Sequence, residues 1–373
     1  MYSQLPNETL TIIFENLQPG VLAEVMRASH RLRAVTERIL YANIVVAESL
    51  SAASLSPVHT INCCETLVAH PHLADVVRKL AVRWHTDPGP REPYLTSVIP
   101  AVSTLNQALC SLIHLESLEL AFGLTGAPLS LHDVLTHCTF PALRLFALSG
   151  IGRGTLPPKF HAPSPPIAWF LADTPSIQHL RLPDLHERVT LAPADLPFLA
   201  TFRGSPIAAA SVIPGRPVHS LALVGHQFVT EPDLEHIAQS AVRIRWLDLS
   251  GMSVTPILLR DISRHLTSME FLKVRLALRH TLHHSLSGIS ILAGLTPVLG
   301  AFPLLRQLDL SPTSVIEGVG SSNALEESTL CTTWARSCTA LRHIIFPSHT
   351  EWTLAPEQVW VPHAQVPARY TKA

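Results

Sequence analysis

The chain has 373 residues, a formal net charge of -1, 15% charged residues and 47% hydrophobic residues. Such a length leaves room for a large core, and the near-neutral balance supplies no field to draw nucleic acid, acidic lipid or a strongly charged substrate. Six cysteines with no Cys-x-x-Cys pair among them point to free thiols in a reducing compartment rather than to a disulfide framework or a zinc site.

From the N-terminus, Leu5-Pro6-Asn7-Glu8 reads as a helix start, with Pro6 at the first helical position and Glu8 in the first turn. Leu10, Ile13, Phe14 and Leu17 then recur at helical spacing. Gln18-Pro19-Gly20 breaks the chain. A second helix is expected to carry Leu22, Val25, Met26 and Ser29 and to continue through Leu32, Val35, Ile39 and Leu40, with Arg27, Arg31, Arg33 and Arg38 on its polar side. A module this short cannot bury both faces of its helices alone. Its apolar surface must meet the following domain, as the cap of a repeat array does, or another protein.

These residues resemble the F-box family. Leu5-Pro6-Asn7-Glu8, Ile12-Ile13-Phe14, Leu17, Leu22 and Ala28-Ser29-His30-Arg31-Leu32 follow its pattern in order, and Leu40-Tyr41 before an Ile/Val strand is similar to the F-box proteins of mushroom-forming fungi. The resemblance implies docking onto the Skp adaptor of a Skp–cullin–F-box ubiquitin ligase. On that reading Leu5, Pro6, Ile13, Leu17, Leu22, Val25, Ala28 and Leu32 contact the adaptor or shape the contact. The family often carries Val then Cys or Ser near position 28 and Trp or Phe near position 32. Ala28 and Leu32 fill less volume, so the resemblance implies weaker adaptor binding than is usual for it.

Beyond the module, one strand template recurs: Val77-x-x-Leu80-x-Val82, then segments starting at Leu115, Leu143, Ile177, Leu199, Val218, Ile244, Met269, Leu305 and Leu341. Start-to-start steps run from about 19 (199 to 218) to about 38 (77 to 115), around the leucine-rich-repeat norm of ~20–29. Shared exits at Leu148-Ser149-Gly150, Leu249-Ser250-Gly251 and Leu310-Ser311-Pro312 repeat a turn signal in register. Helical patterns such as Val102, Leu105, Leu109 and Leu112, and Leu234 to Ile237, fall between strands. Strand alternating with helix at this period predicts an α/β fold, a leucine-rich-repeat-like solenoid with a parallel sheet on its concave face.

The expected domains are a helical domain over 1–46, the solenoid over 47–346, and a C-terminal cap or partly disordered tail over 347–373. Apolar template positions are expected to point inward, leaving the third and fifth positions on a reading face. That face runs Lys79, Ser117, Glu119, His179, Arg181, Thr201, Arg203, Trp246, Asp248, Phe271, Lys273, Gln307, Asp309 and His343. Arg181, Arg203, Trp246, Asp248, Phe271 and Lys273 are the candidate substrate-binding residues, with Trp246 and Phe271 on consecutive strands as its aromatic centre.

Pro-rich stretches at Asp87-Pro88-Gly89-Pro90, Leu156-Pro157-Pro158 and Pro163-Ser164-Pro165-Pro166 read as loops. Leu286 to Phe302 is apolar and near the lower length of a spanning helix, ~17–25 residues. Gly288, Gly294, Pro297 and Gly300 interrupt it, so a buried repeat helix is expected there. His283-His284 and His70-Pro71-His72 lack chelating spacing, and Gly150 to Gly154 lacks that of a dinucleotide loop. No catalytic motif, metal or cofactor is called for. Met1 closely precedes Leu5, with neither the basic flank nor the apolar core of a signal peptide, so the expected location is cytoplasmic or nuclear. The expected function is non-enzymatic: a ligase subunit that holds the Skp adaptor, and through it a cullin, at one end and an unknown protein substrate along the repeats. The alternative is a repeat scaffold or sensor outside the ubiquitin system, whose N-terminal helices only cap the array. An adaptor surface needs Leu5, Pro6 and Leu17 accessible, whereas a cap buries them against Val77 and Val82.

Overall fold

Three short helices open the chain, and a local cause sets each boundary. α1 (Asn7–Phe14) follows Pro6, which stands at the N-cap in an extended conformation, one residue earlier than its expected place. Pro19 begins α2 (Pro19–Val25) at the position proline tolerates best. This helix does not run on through Ser29. Ser29 is extended, its hydroxyl accepts a hydrogen bond from the Leu32 amide, and α3 (His30–Ala42) starts anew. The break is a capping effect, since the serine oxygen satisfies a first-turn amide that lacks a helical carbonyl. Phe14, Leu22 and Val35 are buried together, with Leu10, Leu17, Val25, Leu32, Ile39 and Leu40 packed around them. The module thus has a small core of its own.

The structure, a computed structural model, describes residues 5–51, 54–87, 92–124, 131–151, 167–277, 292–313 and 324–364. The prolines at 88–90, 157–158 and 163–166, the Gly152–Gly154 stretch, the His283-His284 pair, residues 286–291 and the chain after Ala364 lie outside them. Two compact units form: one holds the chain to Leu185 and Val189–Phe198, the other His186–Arg188 and the chain from Leu199.

In the first unit β1 (Asn43–Leu50), β2 (Lys79–Thr86), β3 (Ser117–Ala121), β4 (Leu145–Ser149) and β5 (His179–Leu182) pair in parallel and in chain order. Their connections carry α4 (Val58–Ala69), α5 (Pro71–Ala74), α6 (Glu92–Ser111), α7 (Leu131–Leu135) and α8 (Ile167–Ala172). Residue 46, the expected end of the helical domain, falls inside β1. In the second unit β6 (Thr201–Gly204), β7 (Ser220–Val224), β8 (Trp246–Val254), β9 (Phe271–Leu276), β10 (Gln307–Asp309) and β11 (His343–Ile345) are parallel, and β12 (Thr350–Leu354) and β13 (Trp360–Ala364) close the order antiparallel. Here α9 (Pro206–Val212), α10 (Glu231–Ile237), α11 (Pro256–His265) and the helices Thr296–Leu299 and Ala324–Ser337 fill the connections. Both units are mixed α/β with open, mostly parallel sheets.

The ten templates fall on β2 to β11, and each of these strands begins at the third template position. Template apolar residues such as Leu118, Leu180, Leu247, Leu272 and Ile344 are wholly buried, each worth about 1.5–3 kcal/mol of transfer free energy. Leu148 departs from the pattern and is only half-buried. The inward face packs on the helices: the Phe146 ring lies 4.6 Å from Phe170 of α8, and Trp334 stacks on Phe346 at 5.6 Å.

Register is fixed by the backbone at the second template position. Between successive parallel template strands of one unit, its carbonyl accepts two amides, those of the next strand's second and third positions. The Arg144 carbonyl takes Gln178 N at 2.8 Å and His179 N at 2.9 Å, and the Arg245 carbonyl takes Glu270 N and Phe271 N at 2.9 and 3.0 Å. Strand exits are equally close. Gly150 has φ +74°, and a Cβ there would lie 2.2 Å from the Gly123 amide nitrogen, so the approach of neighbouring exits requires glycine. Its amide donates to Asp184 Oδ2 at 2.7 Å. The glycine serves strand packing.

In each unit a buried carboxylate ties distant segments together. Glu48 of β1 accepts from the amides of His59 and Thr60 and from the Thr60 hydroxyl at 2.9 Å, while Trp84 Nε1 donates to the same hydroxyl at 2.9 Å. Glu327 accepts from Trp352 Nε1 at 2.8 Å and from the Ser348 hydroxyl at 2.7 Å. Trp352 and Trp360 are buried, so the chain to Ala364 forms a hairpin covering the last parallel strand. Residues 292–302 give a short turn of helix, and no helix among the described residues is long and apolar enough to cross a membrane.

Candidate functional site

Two surfaces carry the residues singled out from sequence. On the first, the Arg31 guanidinium of α3 donates to Asn7 Oδ1 at 2.9 Å and to the Leu5 carbonyl. This side chain, expected merely to line a polar face, instead holds the Leu5-Pro6 segment against the module. Leu5 (49%) and Ile13 (45%) are exposed, as are Pro6 and Ala28. Leu22 is buried in the module core, and Leu17, Val25 and Leu32 are half-buried against it. The eight adaptor candidates therefore divide into four that face outward and four that support them. Ile12 and Val21 join the exposed apolar residues. Val77 and Val82 are buried.

The second surface is the outward face of the strands, where each strand contributes its third and fifth template positions. In the second unit two rows follow from register. One runs Thr201, Ser220, Trp246, Phe271, Gln307 and His343; the other runs Arg203, Ala222, Asp248, Lys273, Asp309 and Ile345. Trp246 stacks on Phe271, with centroids 4.4 Å apart and planes at 23°, and Trp246 remains 49% exposed. Asp248 and Lys273 lie beside this pair, and Arg203 shares their row across Ala222. Five of the six substrate candidates thus belong to one unit. Arg181 belongs to the other.

Charge on these faces is largely internally paired. Lys273 Nζ lies 2.9 Å from Asp309 Oδ2, and the Ser311 amide donates to Asp309 Oδ1 at 2.9 Å. Asp309, expected on the open face, is buried. Burial pushes its carboxyl up, but the hydrogen bonds from Ser311 and Lys273 and the lysine charge outweigh it and leave the pKa below the usual carboxylate value. In the first unit Glu119 lies 3.1 Å from Arg83 and 3.8 Å from Arg181. Arg181 therefore already has a carboxylate partner, which weakens it as a lone anion holder. Half-exposed pairs of this kind contribute at most about 1 kcal/mol. Among the described residues no group of three or more His, Cys, Asp or Glu could hold a metal ion.

The stacked aromatic pair and the exposed helical patch offer apolar contact area. In comparisons with known proteins, no family model matches the chain and no curated protein matches it.

Proposed function

We propose that the chain is the substrate-recognition subunit of a Skp–cullin–F-box ubiquitin ligase, acting in the cytoplasm or nucleus. The N-terminal helices hold the Skp adaptor and through it a cullin; the outward strand face holds a protein substrate. The observation that carries this reading is the N-terminal module itself, which has a small helical core of its own and leaves Leu5, Ile12, Ile13 and Val21 exposed. A helical cap over a repeat array would be expected to bury them. Support on the other side comes from the Trp246–Phe271 stack, a large apolar surface flanked by charges of both signs, as interface centres commonly are. Catalysis belongs to the ubiquitin carrier. This chain raises the rate by holding substrate near it and contributes no catalytic residue.

Co-expression with a Skp adaptor tests the reading directly. Wild type should co-purify in equal amounts, and Leu5→Asp/Ile13→Asp should lose the adaptor by at least about tenfold while keeping its circular dichroism. A well-folded wild type that captures no adaptor would leave a repeat scaffold outside the ubiquitin system.

A further inference from the structure

Cys110 lies in the last turn of α6 and Cys138 in the turn that follows α7. Although 28 positions apart, their Sγ atoms are 3.3 Å from each other. Cys110 is exposed and Cys138 buried, so one sulfur meets solvent and the other waits behind it. The juxtaposition is built. Asn106, one turn before Cys110, donates through Nδ2 to the carbonyls of Val134 and Thr136, both at 2.9 Å, which clamps the turn onto α6. His137 then adopts φ +63°, in the left-handed region that costs a non-glycine residue energy, directly before Cys138. Both thiols also reach the same carbonyl, that of Thr136, each at 3.7 Å, which holds the two sulfurs at one turn.

We propose that Cys110 and Cys138 form a reversible dithiol–disulfide site whose oxidant is a small disulfide such as oxidised glutathione. Cys110, as thiolate, attacks one glutathione sulfur; the first glutathione leaves and takes up the proton. Cys138 then loses its own proton, attacks Cys110 Sγ and displaces the second glutathione as thiol. Two electrons pass from the protein thiols to the glutathione disulfide, one S–S bond forms and one breaks. The sulfurs must close from 3.3 Å to a bond length of about 2.05 Å, a small movement for two side chains on elements already clamped. Burial, followed by the hydrogen bond with Cys110, holds the Cys138 thiol well above the ordinary range, which keeps it protonated until Cys110 has reacted. The bond would fasten the end of α6 to the chain entering β4, in the helix layer and away from the strand face. It is independent of the ligase reading.

The test is exposure of the folded, reduced full-length chain to mixtures of reduced and oxidised glutathione, followed by acid quench, alkylation and peptide mapping. Expected is a Cys110–Cys138 crosslink in most molecules while Cys64, Cys331 and Cys338 remain alkylatable after unfolding. Cys138→Ser should instead accumulate glutathione on Cys110, and Cys110→Ser, a change at an exposed position, should give neither product. The crosslink should raise the unfolding midpoint of the first unit by roughly 5–10 °C. A wild type that retains glutathione on Cys110 without resolving it, or that shows Cys110 unreactive, overturns the proposal.

Discussion

Lys273 and Asp309 stand on adjacent strands with their charges 2.9 Å apart, and the carboxylate is almost enclosed. Removing the lysine therefore strands a buried anion rather than clearing a surface. Lys273→Ala should destabilise the second unit by about 1–3 kcal/mol at neutral pH. Because the native Asp309 pKa is depressed, the stability it contributes is present above the unfolded carboxylate pKa and is lost as pH falls through the native value. The gap between variant and wild type should accordingly narrow in acid. Urea titrations of both proteins at neutral and acidic pH check this, and an unchanged gap would exclude the pairing. Only residue types were legible here. A Lys and an Asp on consecutive templates could be placed on one face by counting, but not that one of them is buried and neutralises the other.

Among the elements, the ten template strands were legible because inward leucines at fixed offsets leave little choice of register. The helix break at Ser29 was not, since an apolar stripe continues across it and only the cap chemistry interrupts the chain. Nor were the partners of Glu48 and Glu327, which arise when distant segments fold over a buried carboxylate. The closeness of Cys110 and Cys138 was likewise invisible, because an irregular repeat gives no offset from which to place a turn. The chain from Pro347 looked equally suited to capping and to disorder; the Trp352–Glu327 hydrogen bond shows what holds the described part in place. Trp352→Phe keeps most of the apolar volume and deletes the indole donor. It should cost about 1.5–3 kcal/mol, as expected for a hydrogen bond to a charged acceptor, whereas Glu327→Gln with Trp352→Phe should cost less than the sum of the two single changes. Thermal or urea unfolding of the four proteins decides between coupling and simple addition.

For the molecule as a whole, the two faces of the strands have separate duties. Inward positions build the apolar core, whereas outward ones stay partly accessible, with the buried Asp309 an outward position that also carries stability. The last parallel strand needs its hairpin, because an uncovered strand edge offers unpaired amides and carbonyls to other chains. A chain ending at Phe346 should associate with rising concentration, whereas the full chain should not. Light scattering over a dilution series reads the difference, and a truncated chain that stays monomeric would show the edge to be innocuous.

The paired amides received by the second-position carbonyls within each unit have a consequence for the connectors. Strand entries are aligned by main-chain atoms and the strands then pair over several residues, while the connectors between them differ in length. Steps from about 19 to about 38 residues coexist in this chain. Outward residues are nevertheless coupled across strands where they pair, as Lys273 with Asp309 and Trp246 with Phe271 do. The strand-entry hydrogen bonds thereby keep the outward residues of neighbouring strands in line across connectors of unequal length.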